Sequence, residues 1–237
     1  MNTSHRPTRD WIRTALNRSS WFTQMPEDMR QELLSHGVVR HFPNGAHILE
    51  QGCHPDGIYA VLEGQVAFLR QVVEGREFLL NIVGPGYWFA DPSILLGEPM
   101  PHTAVARADV QVLFVPATIT SRIRNARIEF TNHFARMHAQ RFIIAINGVA
   151  DAATLSREAF LRQRLADLAT QMGLTDAPGS ADSVEVAVSQ SELALLVGVS
   201  RQTLNGYLSD LECRGLIEIG YRSIRLHQRL LAFRAAS

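Results

Sequence analysis

Between about residues 41 and 116 apolar and polar positions alternate in short runs: Ala46 to Glu50, Gly57 to Leu62, Gln65 to Gln71, Arg76 to Val83 and Thr103 to Val115. Glu63-Gly64, Glu74-Gly75, Gly84-Pro85-Gly86 and the stretch from Gly97 to Pro101 separate them. Many short strands at regular spacing predict a closed antiparallel roll or jelly roll rather than a parallel sheet, and such rolls usually hold something in the middle. Residues 8 to 40 read as short helices instead. Trp11, Ala15 and Leu16 lie on the first, and Pro26 to Leu34 forms another, opening with proline and acids as the helix dipole prefers. Trp21 and Phe22 are placed to staple these helices to the strands after them.

After the strands, turn residues vanish from Thr118 to Ala152 apart from Gly148. One helix over Ser121 to Ala150 would span about 45 Å at about 1.5 Å per residue, more than a small domain needs, so it calls for a partner. Phe130, Phe134, Met137 and Ile144 follow steps of four, three and seven, the seam of a two-stranded coil. The same helix laid over its own roll is the alternative, and the two roles are compatible. Asp151 to Thr154 offers a hinge, Thr154 to Met172 (Leu155, Leu161, Leu165, Leu168) a further helix, and 174–183 a polar loop. The expected division is therefore 1–120, 121–152 and 153–237.

The last part is patterned most sharply. Ser189 followed three residues later by Glu192 is a capping box that opens a helix. Leu193, Leu196 and Val197 keep helical spacing until Gly198, where the chain needs a left-handed residue. Ser200 caps a second helix whose Leu204, Leu208 and Leu211 give it one buried side. Its polar side carries Arg201, Gln202, Thr203 and Asn205 in the first turn and a half, where a recognition helix meets base edges. A generic pair of packed surface helices is the alternative. Leu216 to Leu226 then alternates about a Gly220-Tyr221-Arg222 turn, a β-hairpin, and a helix pair followed by such a wing is a DNA-binding arrangement. Arg222 and Arg225 are placed to reach phosphates, with Ser189 and Ser191 at the start of the first helix.

Composition narrows the choices. At 237 residues, 46% of them hydrophobic, two domains with real cores are expected. Net charge is zero, so no gross cationic field holds nucleic acid, but residues 189–237 carry six arginines against four carboxylates. Every basic side chain is arginine; the chain has no lysine, a bias that a genome's base composition also produces. Two cysteines, Cys53 and Cys213, cannot supply a four-thiolate iron–sulfur or zinc site or a disulfide framework. The N-terminus lacks a signal peptide's apolar core and no apolar run approaches a membrane span, so a soluble cytoplasmic protein is expected.

In this order, helices, roll, long helix and winged helix pair, the chain resembles the Crp/Fnr superfamily of bacterial transcription regulators over roughly residues 20 to 227. The stretch from Gln190 to Ile217 looks like the family's signature nearly throughout, and Gly57 to Val66 and Gly84 to Asp91 are also family-like. The resemblance implies an α+β fold: an antiparallel β-roll of the cyclic-nucleotide-binding kind (a double-stranded β-helix), a long dimerisation helix and a winged helix-turn-helix domain. It implies no enzymatic activity and no catalytic residue. It also implies a homodimer on a pseudo-palindromic site, its recognition helices about 34 Å apart, with RNA polymerase as a possible further partner. Carried over by position, Arg201 reads a guanine, and Gln202 stands where many relatives have glutamate, which shifts preference from cytosine towards adenine. Asn205 replaces a longer basic residue and reads or positions one further base.

At the effector site the family pattern breaks. Where cyclic-AMP-binding relatives carry Gly-Glu and then Arg-Ser or Arg-Thr, this chain has Ala90-Asp91 and His102-Thr103, with Phe89 and Asn147 completing the candidate pocket. Asp91 is one methylene short, and His102 supplies no permanent charge, since its protonation depends on a pKa near neutrality. Losing the arginine costs a charge-assisted bond worth about 1.5 to 3 kcal/mol. The expectation is against cyclic AMP, leaving another small effector or none, as in a scaffold whose pocket Phe68, Phe78 or Trp88 fills. Heme through Cys53-His54, His102 or His133, and a cupin-like metal site at His36, His41, His47 and His54, are the competing chemistries; no metal ligand set is assigned because the spacing gives none.

Overall fold

The computed structural model describes residues 9–73, 76–172, 174 and 183–231 of the 237. The described chain divides into two compact units, residues 9–70 with 83–141 and residues 71–82 with 142–231. The expected cuts lay at 120 and 152; in the two units the first turns of the long helix group with the roll, and residues 71–82 with the C-terminal part.

In the first unit three helices, α1 (Arg9–Leu16), α2 (Ser20–Thr23) and α3 (Glu27–His36), precede the strands β1 (Val38–Phe42), β2 (His47–Leu49), β3 (Gly57–Val73), β4 (Arg76–Val83) and β5 (Trp88–Phe89). A short helix α4 (Asp91–Leu96), strand β6 (Thr103–Pro116) and helices α5 (Ala117–Ala126) and α6 (Ile128–Thr154) follow. The sheet runs β1-β6-β3-β4, with β2 on β6 and β5 on β3. β6 organises it, pairing antiparallel with β1 (Val38 opposite Phe114), β2 (His47 opposite Val105) and β3 (Gly57 opposite Pro116). The antiparallel roll expected from the alternation is therefore present.

Three details differ from the pattern reading. Glu63-Gly64 is no turn: β3 is one strand, with register shifts on both sides of Glu63. Gly64 sits at φ +80, and a β-carbon there would lie 2.5 Å from the Asp109 carbonyl oxygen, so glycine lets a bulge bend the strand over its partner. β1 falls where a helix was expected to continue, Val38 and Val39 taking the strand conformation that β-branched residues favour. The single helix over 121–150 is interrupted, because Arg127 is extended (φ −143, ψ 111) and its guanidinium pairs with Asp28 of α3. α6 restarts at Ile128 and runs 27 residues, about 40 Å. No glycine or proline announces that break.

Trp21 does staple the helices to the roll: its ring centroid lies 4.9 Å from those of both Trp88 and Phe134. Around it Leu16, Phe22, Met25, Met29, Leu33, Ile58, Leu113 and Phe130 are buried.

The second unit contains α7 (Arg157–Gln171), β7 (Ser183–Val186), α8 (Gln190–Val197), α9 (Arg201–Cys213), β8 (Ile217–Gly220), β9 (Ser223–His227) and α10 (Gln228–Leu231). α6 continues through the expected hinge at Asp151 to Thr154; the break comes at Leu155-Ser156, where Ser156 caps α7 by accepting from Ala159 N at 3.2 Å. β7 adds a third strand to the wing, in the order β7-β9-β8. Its first residue, Ser183, closes the segment read as a loop, most of which lies outside the described residues, as does the Glu74-Gly75 turn. From the roll's hairpin, the Leu80 carbonyl accepts a bond from Arg164 Nη2 at 3.4 Å.

Candidate DNA interface and effector pocket

The helix pair forms as its caps dictate. Ser189 Oγ accepts from Glu192 N at 3.3 Å while Glu192 Oε2 accepts from Ser189 N at 2.8 Å and from its hydroxyl at 2.7 Å. Gly198 closes α8 in the left-handed region (φ 72), and Ser200 Oγ accepts from Thr203 N at 3.1 Å to open α9. Leu204, Leu208 and Leu211 are fully buried, as are Leu193, Leu196 and Val197 of α8, which leaves Arg201, Gln202, Thr203 and Asn205 exposed on the opposite side.

Not all of the expected DNA-contacting groups are equally free. Among the described residues Arg201 and Arg222 have no carboxylate partner. Arg225 does, at 2.7 Å from Glu218 and 4.0 Å from Glu185, so it braces the wing and would have to leave these pairs to reach a phosphate. The Ser189 hydroxyl is spent on the capping box, and the Thr203 hydroxyl lies 2.8 Å from that of Ser200. Ser191 is exposed. A groove of about 250 Å³ connects these pieces; Ser189, Gln190 and Ser191 line one side with Arg201, and Tyr221, Arg222 and Ser223 the other. Its lining has two guanidinium groups and no carboxylate. Gln190, Tyr221 and Ser223 were not singled out from the sequence, since nothing in their spacing reveals that the wing folds back beside the α8 N-terminus.

The candidate effector residues Asp91, His102 and Thr103 each have packing or hydrogen-bonding partners within the chain. Ala90 is left-handed (φ 67) and delivers Asp91 to the first turn of α4, with no exposed surface. Asp91 Oδ2 lies 2.9 Å from His138 Nε2, and both its oxygens lie 3.5 Å from Arg141 Nη1. Arg141 also donates to the Trp88 carbonyl at 2.7 Å and lies 4.4 Å over the Tyr87 ring. The carboxylate expected to accept a ligand hydroxyl is thus engaged with α6. His138 and Arg141, three residues apart and hence on one helix face, were legible in principle. The void beside Asp91 holds about 10 Å³, the room of a single water.

His102 is corrected as well. Its ring packs 4.5 Å from that of Phe68; burial, and secondarily the charge of Arg70, push its pKa down to about 4, not near neutrality. It is a neutral aromatic at physiological pH. Phe68 continues into Tyr87 (5.9 Å) and Phe89 (5.7 Å), and Phe89 stacks on Tyr59 (5.3 Å). Of the three residues named as fillers, Phe68 takes this place, Trp88 packs with Trp21 and Phe22 instead, and Phe78 is exposed. The Thr103 hydroxyl accepts from Gln51 N at 3.1 Å. Asn147 is exposed and belongs to the second unit. His102 therefore offers no permanent cation here, and the Asp91 carboxylate is held by His138 and Arg141.

Of the four residues expected to form a pairing seam, three pack inside the chain. Phe130, Phe134 and Met137 are buried within this chain, in the core around Trp21. The reason is that this face of α6 packs against the N-terminal helices, so these three side chains are taken up by the chain's own core. Ile144 is 46% exposed, beside Phe142 (65%), Ile146 (50%) and Val149 (73%).

A sensor roll joined to a winged helix pair defines a class, the DNA-binding regulators with a ligand-binding-type domain. Comparison with known proteins agrees. The family model described as cyclic nucleotide-binding domain matches residues 39–126, and that of the Crp-like helix-turn-helix domain residues 163–230. A CRP-like cAMP-activated global transcriptional regulator of Mycobacterium tuberculosis is 32% identical over 186 residues, 77% of this chain and 81% of the relative. The cAMP-activated global transcriptional regulator CRP of Salmonella typhimurium is 24% identical, over 81% of this chain and 90% of its own length. Among solved structures, a CRP/FNR-family transcriptional regulator from Thermus thermophilus superposes with a TM-score of 0.65 at 26% identity, covering 84% of this chain and 99% of that one. FixK2 of Bradyrhizobium japonicum shares the fold with a TM-score of 0.70 at 19% identity, covering 82% and 95%. The chain belongs to the Crp/Fnr family of transcription regulators; it is a DNA-binding regulator, not an enzyme. Among the described residues no helix is long and apolar enough to cross a membrane.

Proposed function

We propose that the protein binds a pseudo-palindromic DNA site as a homodimer in the cytoplasm, without the cyclic AMP that activates its named relatives. The observation that carries this reading is the neutral, aromatic-packed His102 at the position of the phosphate-binding arginine. Arg201 forks to a guanine and Gln202 pairs with an adenine in each half-site, both projecting from the exposed first turn of α9. The exposed stripe of Phe142, Ile146 and Val149 on α6 supplies the pairing face in place of the buried seam. The aromatic filling of Phe68, Tyr87, Phe89 and His102 favours a regulator whose roll is a structural part over one holding another small effector.

Selection of bound duplexes from random DNA, with and without cyclic AMP, tests this. The same palindrome enriched in both arms is the expected result. Enrichment only with the nucleotide would overturn the reading of Asp91 and His102. Arg201→Ala should cost about 1 to 3 kcal/mol of affinity and relax preference at the contacted base pair.

A further inference from the structure

Tyr221, at 93%, is the most exposed large apolar side chain among the described residues. It stands at the tip of a short hairpin, where Gly220 pairs with Ser223 and only Tyr221 and Arg222 make the turn. The hairpin is firmly held from below: Ile217, Ile224 and Leu226 are buried, and Arg225 bonds Glu218 at 2.7 Å across the strands. A ring presented so openly on a braced support is placed to touch something outside the chain, while the left-handed Arg222 (φ 55) is what so tight a hairpin turn requires.

The groove indicates what that is. One side carries the α8 N-terminus and Arg201, the first residue of α9; the other carries Tyr221, Arg222 and Ser223. With the exposed first turn of α9 in a major groove, the sugar-phosphate strand bordering that groove passes between these two sides. Two guanidinium groups and no carboxylate line its path, which suits a chain of phosphates. The side across a backbone strand from the major groove faces the minor groove. We infer that Tyr221 is a DNA-contacting residue that packs its ring on the deoxyribose and minor-groove edge just outside each half-site, with Arg222 on the adjoining phosphate. The inference rests on the DNA-binding reading and extends it, because it adds flanking base pairs that α9 does not reach to the recognised site. Ring packing on sugar and base is tolerant of sequence but sensitive to groove width, so the flank contributes through shape rather than through a base code.

The full chain and the palindrome recovered by selection provide the test. Two duplexes are compared, one extending about half a helical turn beyond each half-site and one ending at the half-sites, with wild type, Tyr221→Ala and Tyr221→Phe. On the long duplex Tyr221→Ala should bind at least about thirtyfold more weakly, the low end of the range expected when a dimer loses one aromatic contact per subunit. Tyr221→Phe should stay within about twofold of wild type, since the ring makes the contact. On the trimmed duplex wild type and Tyr221→Ala should bind alike. Equal binding of Tyr221→Ala and wild type to the long duplex would overturn the inference. So would an equal loss on both duplexes, because the ring would then act through the hairpin and not on the flank. A wild type that prefers no sequence over bulk DNA would instead overturn the regulator reading, and this inference with it.

Discussion

His102 shows how one side chain reports on the whole pocket. The unfolded chain protonates this imidazole at about 6.5, whereas burial in the folded roll, aided by Arg70, delays protonation to about 4. A histidine whose folded pKa is depressed contributes no penalty above the unfolded value. Stability then falls as pH drops from 6.5, and the fall is complete at the folded value. By pH 5 the loss from this residue is about 2 kcal/mol. Urea unfolding at pH 7 and pH 5 should therefore show His102→Phe losing about that much less than wild type between the two. An equal loss in both proteins would mean that His102 is not held neutral by burial. The replacement of arginine by histidine at this position was readable along the chain, but its consequence was not, since desolvation depends on Phe68, more than thirty positions away, packing on the ring. Asp91 is the parallel case: its identity was readable, while its burial against His138 and Arg141 required knowing which face of α6 meets α4.

Among the elements, legibility follows how local the determining chemistry is. The α8–α9 pair was readable to the residue because a capping box, a left-handed glycine and a second serine cap are all local signals. Gly198→Ala tests that argument: nothing lies within 4 Å of where a β-carbon would stand, so the only cost is the φ of 72, about 1 kcal/mol of stability by thermal unfolding. α6 was misjudged in the opposite way. Its apolar positions repeat over its whole length, and periodicity does not say which of them a neighbouring helix of the same chain will cover. Phe130, Phe134 and Met137 went to the core, and the break at Arg127 was invisible because a long-range ion pair with Asp28 marks it rather than glycine or proline. The exposed stripe of Phe142, Ile146 and Val149 is the pairing face proposed above. Phe142→Glu with Ile146→Glu should give a folded monomer by light scattering, whereas Phe134→Glu should fail to fold, because an unpaired carboxylate in that core is costly. If the double variant stays dimeric, α6 does not pair the subunits through this face.

For the molecule as a whole, zero net charge means that DNA affinity depends on a few local cations and not on a general field. Which cations those are is not decided by their positions along the wing, since Arg222 and Arg225 are both on it. It is decided by whether a carboxylate already holds them. Arg225 sits between Glu218 and Glu185, so releasing it to a phosphate would cost the ion pairs it makes; Arg222 lies open in the groove with Arg201. Binding that neutralises phosphates releases counterions, and the slope of log affinity against log salt measures how many, at about 0.9 per contact on duplex DNA. A dimer carries each arginine twice. Arg222→Gln should therefore reduce the steepness of the salt dependence by about two, and Arg225→Gln should leave the slope near the wild-type value while lowering the stability of the hairpin slightly. Affinity titrations of the palindrome across a range of potassium chloride concentrations read both. Equal changes in slope for the two variants would show that the Glu218 and Glu185 pairs open on DNA binding, and the wing would then carry two phosphate contacts per subunit instead of one.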